Sequence, residues 1–238
     1  MEIHKPKPVH NWREFLTELG TIVLGICIAI SLEQLVETWR WHSEVENARK
    51  ALQAEIRANE VSFFVRRLSY EGCLNRQMRE AEAILADLEA HRQPGRFTTF
   101  HNSNGGPTSD GEWQSQRAAQ TLTHFPQDEL AMMSRYYAWV TDFRNWVVQE
   151  GDAWSELAVL REPPAGLGPS DFMRLHVDLN AAHRFGGLIK LNTIRVLRLS
   201  AALGVPQIPT DQDRQRQFCN SNEEEFQKYL LDIEAAPR

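Results

Sequence analysis

Residues Leu19 to Leu32 read LGTIVLGICIAISL, an uncharged run closed by Glu18 and Glu33, and no later stretch is comparably apolar. A helix built from this run has no polar side to turn toward water, so it needs apolar surroundings all round. The run alone is fourteen residues long, and crossing about 30 Å of hydrocarbon takes roughly 20. Its flanks supply the difference. Phe15 and Leu16 precede Glu18, Leu35 and Val36 follow Glu33, and Trp39 and Trp41 then fall where an interfacial aromatic belt would lie. Phe15 to Val36 is 22 residues, about 33 Å of helix at 1.5 Å per residue. A span of that length requires both glutamates to sit near headgroup depth.

Spacing points to one face of this helix. Glu18, Thr21, Gly25, Ala29 and Glu33 step by 3, 4, 4 and 4 residues, which aligns them along one side. Thr21, Gly25 and Ala29 form a small-residue ridge that lets a second helix approach closely in lipid. An intramembrane carboxylate is a functional candidate by default, whereas Glu18 and Glu33 near the ends read as headgroup-level boundaries. The following EQLVETWRWH offers no small-residue cleavage site, so an uncleaved anchor is expected. Lys5, Lys7 and Arg13 before the run nearly balance Arg40, Arg49 and Lys50 after it. The short Lys-Pro-Lys-Pro leader tips the expected orientation to N-terminus inside and the bulk of the chain outside.

The leader followed by REFLTELGTIVLGICIAISLEQLVE resembles uncharacterised single-pass inner-membrane proteins of Gram-negative bacteria. Those proteins open with an E-x-G-x-x-x-x-G-x-x-x-A anchor helix. The likeness is specific over about the first 45 residues and is one of helical organisation beyond them. It implies an anchor in a bacterial inner membrane; the orientation expected from the leader then places the C-terminal domain in the periplasm. It brings no activity and no active site.

The remainder predicts an all-α domain. The chain has 238 residues, 26 Lys and Arg against 32 Asp and Glu, and a net charge of −6. That acidic balance argues against a nucleic-acid partner, which demands concentrated basic side chains. Sustained alternation is absent, so strands are not expected. The expected organisation is a leader over 1–14, an anchor over 15–36 and a helical domain over 37–238. Within that domain the patterning predicts a long helix over 37–92, a loop over 93–112, and helices over 113–123, 126–161, 170–203 and 222–235. The long helix, read as one or as two with a break near Gly72, carries a stripe of Val45, Ala48, Leu52 and Ile56 and a seam of Leu74, Met78, Ala81, Leu85 and Leu88. QPGRFTTFHNSNGGPTSDG reads as a solvated connector: Gly105-Gly106 lacks the Lys and Ser/Thr of a phosphate loop. Ser170 is the expected cap of its helix, and Gly204 and Pro206 its stop. Gly186-Gly187 in mid-helix signals close helix contact, and Ser221 with Glu224 reads as a capping box. The result is an anchor helix continuing into a bundle of about four principal helices.

Chemical signatures are few. His176, Asn180 and His183 share a face without further converging metal ligands, so no metal and no cofactor is expected. No nucleophile elbow or reactive Cys/His pattern occurs, so no catalytic residue is assigned. Cys27 lies in the apolar run, and Cys73 with Cys219 could pair in an extracytoplasmic domain. Tyr136, Tyr137, Trp139, Trp146 and Trp154 concentrate aromatic surface on one helix, either as core or as a groove for a ligand or partner. The sequence therefore predicts a membrane-anchored interaction protein that forms a homo-oligomer or joins a membrane-protein partner. The alternative is a tethered sensory or ligand-binding domain that uses the aromatic helix.

Overall fold

A computed structural model describes residues 12–101 and 106–207. Every regular element among them is helical. The elements are α1 (Trp12–Asn59), a π-helical turn (Glu60–Val65), α2 (Arg66–Glu89), α3 (Gly111–Ala118), a 3-10 turn (Thr121–His124), α4 (Gln127–Leu157), a 3-10 turn (Ala158–Arg161) and α5 (Pro169–Ala202). The all-α expectation holds. The chain divides between Ala48 and Arg49 into two units.

The first unit is the apolar part of α1. An 18-residue window there has a mean hydropathy of 2.1, and none of it is buried. Ile22, Leu24, Ile26 and Ile30 are all about half exposed or more. Hydroxyls are absorbed within the helix: Thr21 Oγ1 donates to the Thr17 carbonyl at 2.8 Å and Ser31 Oγ to the Cys27 carbonyl at 2.7 Å.

The second unit is a bundle in which α4 packs on α5 and α2 packs on α5. The apolar stripes predict its core well. Leu52, Ile56, Leu74, Ala81 and Leu85 are buried, as are Met133, Val140 and Phe143 of α4 and Leu175, Leu179, Ala182 and Ile189 of α5. Phe64 meets Phe143 edge-on at 4.9 Å between ring centroids, a favoured geometry for buried aromatics. The irregularity in the long helix falls at Glu60–Val65 rather than at Gly72, where α2 runs on unbroken.

The ends of α5 show how its limits are set. Gly168, not Ser170, is the N-cap: Pro169 takes the first helical position and the Asp171 carboxylate accepts from the Gly168 N–H at 2.8 Å. At the other end Gly204 adopts φ 80°, Val205 N–H donates to Ser200 O and Gly204 N–H to Ala201 O, both at 3.0 Å. That pair of bonds is a Schellman stop, with Val205 buried beneath it. The expected helix over 113–123 is instead α3 and a 3-10 turn, separated by Gln120 in the left-handed region. The expected helix over 222–235, its Ser221–Glu224 box, and Cys219 lie outside the described residues.

Candidate functional site

Three polar features are built into the second unit. The first is a strap. The described parts of the expected 93–112 connector, residues 93–101 and 106–110, are held along α1 and α2 by side chains that bond their backbone. Asn59 Nδ2 donates to Ser109 O at 2.8 Å while Ser109 N–H donates to Asn59 Oδ1 at 2.6 Å. Gln77 makes the same two bonds with His101, at 2.9 and 2.8 Å. Each amide thus stands in for a strand partner and satisfies backbone groups that an irregular segment would otherwise leave open. Glu55 accepts from the Ser109 hydroxyl, the Glu112 and Trp113 N–H groups and the Tyr137 hydroxyl, which caps α3 from outside its own sequence. Burial, then this bond to Glu55, raises the Tyr137 hydroxyl above its ordinary range. Gly106 rests against the Ser62 carbonyl, where no β-carbon would fit. Gly105 lies outside the described residues.

The second feature is Glu60, fully buried in the π-helical turn. Ser200 Oγ of α5 donates to its Oε1, and Arg57 Nη1 stands 3.7 Å from Oε2. Oε2 is buried with no hydrogen bond. Burial pushes this carboxyl up to about 7, with Ser200 and Arg57 pulling the other way. A π-turn rotates the following residues relative to an unbroken α-helix and is frequent at functional positions.

The third feature is a cavity of about 170 Å³ between α2, α4 and α5. Its floor is a buried ion pair, Arg67 Nη2 to Glu150 Oε1 at 2.7 Å, both side chains 2 % exposed. Lys190 Nζ reaches Glu71 Oε1 at 3.1 Å at the rim. Gly186 is required by this arrangement: a β-carbon there would stand 2.9 Å from Glu150 Oε1 and 3.5 Å from Arg67 Nη2. The close contact expected at the Gly186-Gly187 pair is therefore with an ion pair, and only at Gly186; Gly187 has open space.

The aromatic set divides. Tyr136, Tyr137 and Trp154 are buried, with Trp154 lining the cavity. Trp139 and Trp146 are half-buried on the surface and 6.1 Å apart. His176 Nε2 lies 2.7 Å from Glu89 Oε1, while His183 belongs to the cavity wall, so the two histidines face different surroundings. On α1, Glu18, Thr21, Gly25, Ala29 and Glu33 are all exposed, and Gly25 has nothing within 4 Å of a would-be β-carbon. Cys27 is exposed and free, and Cys73 is fully buried.

Sequence reasoning missed Glu60, Arg67 and Glu150. The signal was their register: Glu60 follows Leu52 and Ile56 by fours, Arg67 leads Leu74 and Ala81 by sevens, and Glu150 stands midway between Phe143 and Leu157. A charge in step with a core stripe is a buried charge in waiting. No protein-family model, curated protein or solved structure matches the chain.

Proposed function

We propose that this chain is a single-pass, membrane-anchored helical interaction protein of a bacterial inner membrane, with its bundle on the periplasmic side. One observation carries the reading: the apolar window of α1 is uncovered on every side. An exposed apolar surface of that extent marks contact with lipid or with another protein. The ridge of Thr21, Gly25 and Ala29 supplies the face for a second copy or a partner helix, because small residues allow backbones to approach within van der Waals range. Glu18 and Glu33 bound that face. The cavity beside Trp154 favours a second reading, a tethered domain that binds a small ligand.

Membrane fractionation of the full chain with a C-terminal tag tests the anchor. The chain should stay in the pellet through an alkaline carbonate wash, with its N-terminal residues intact by mass. Deletion of residues 15–36 should release it. Extraction of the full chain by carbonate, or loss of the N-terminal segment by cleavage, would overturn the proposal.

A further inference from the structure

The cavity between α2, α4 and α5 is not explained by anchoring, and its hydrogen bonding is unbalanced. The fixed charges of its wall cancel in pairs, Arg67 with Glu150 and Lys190 with Glu71. What remains is a surplus of donors. Arg67 Nε, Arg67 Nη1 and Trp154 Nε1 are buried and have no hydrogen-bond partner, although both side chains line the same cavity. Buried donors without acceptors each cost about 1–3 kcal/mol, so native structures rarely leave three together. Leu74, Met78 and Ala182 add an apolar side to the wall. The room equals about six waters at roughly 30 Å³ each. Asn75, His183, Gly187 and Lys190 are the exposed members of the wall and give access from solvent.

A ligand that suits such a wall presents acceptors only, carries a short apolar part and gains from charge-assisted donors. An ionised carboxylate is acceptor-only, and guanidinium and ammonium groups bind it best. We propose that this cavity is a binding site for a short-chain monocarboxylate. Arg67 and Trp154 donate to the carboxylate, Lys190 attends it at the mouth, and the acyl chain lies against Leu74, Met78 and Ala182. The site would make the bundle a receptor domain, which goes beyond the anchoring and assembly proposed above and holds whether or not α1 spans a bilayer.

The test uses the full chain in mild detergent, with butyrate as probe, butyramide as its neutral isostere and sodium chloride as the salt control. Butyrate should raise the thermal midpoint and change tryptophan emission saturably, and the other two should not. Trp154→Phe removes the indole N–H together with the second ring while keeping an aromatic side chain, and Lys190→Gln changes a half-exposed side chain. Each should weaken butyrate binding roughly tenfold, the loss of one charge-assisted bond. Lys190→Gln should fold as well as the parent, which keeps the test valid if Trp154→Phe does not. A butyrate effect no larger than that of chloride would overturn the proposal. So would equal binding of butyramide, or butyrate binding that Lys190→Gln leaves unchanged.

Discussion

Replacing Glu60 by glutamine should remove much of the pH dependence of this fold's stability. The carboxyl is fully buried, and its proton is held up to about 7 against an ordinary 4.5. The folded chain therefore binds that proton more tightly than the unfolded chain does. The resulting stabilisation is complete below the ordinary carboxyl value and is lost as pH rises through about 7. At 1.36 kcal/mol per pH unit, stability should fall by about 2.5 kcal/mol between about pH 5 and about pH 8 from this group alone. Glutamine keeps an oxygen that can accept from Ser200 Oγ and never ionises. The variant should resemble the parent near pH 5 and exceed it at pH 8. Urea unfolding followed by far-ultraviolet circular dichroism, at three pH values in that range, measures the difference. Parallel pH slopes for the two proteins would refute the assignment of Glu60 as a buried, protonated acid.

Three further outcomes follow from the same geometry. Gly186→Ala should destabilise the bundle by about 1–3 kcal/mol, because its β-carbon meets the Glu150 carboxylate, whereas Gly187→Ala, in open space one residue on, should gain about 0.5–1 kcal/mol. Denaturation midpoints of the pair decide it, and equal effects would remove the close-approach explanation. Gly25→Leu with Ala29→Leu should weaken association in a membrane two-hybrid assay while leaving the bundle's unfolding midpoint unchanged, since both sites are exposed in the described structure. On the proposed periplasmic placement of the bundle, Cys73 and Cys219 should appear as one linked peptide pair in a non-reducing digest of the purified chain, and separate, alkylatable peptides would exclude the staple.

Much of the fold was legible because its helices obey one rule. From Leu175 through Leu179, Ala182, Ile189 and Val196, α5 buries what a heptad-like spacing predicts, and α4 does the same from Met133 to Phe143. The same spacing included Gly186, Thr193 and Ser200, which composition alone would not place in a core. The strap was illegible for a physical reason. Its order comes from backbone groups meeting Asn59, Gln77 and Glu55 across some 24 to 58 residues of sequence, and a Gly-, Ser- and Asn-rich composition looks the same whether or not such partners exist. The cavity was hidden likewise, since it exists only where three helices converge, and each contributes residues that are unremarkable in its own sequence.

The strap also bears on how this sequence can change over time. Asn59 and Gln77 bond the N–H and C=O of Ser109 and His101, groups that nearly every amino acid carries. Glu55 likewise takes the backbone N–H groups of Glu112 and Trp113. Apart from Gly106, which has no room for a β-carbon, and Ser109, whose hydroxyl meets Glu55, the residues bonded in this way can drift without breaking these bonds, while Glu55, Asn59 and Gln77 cannot. Variation should then concentrate in the loop outside Gly106 and Ser109, and restraint in three polar positions of the helices beneath it. That inverts the usual expectation that a helix surface tolerates substitution more readily than the site it supports.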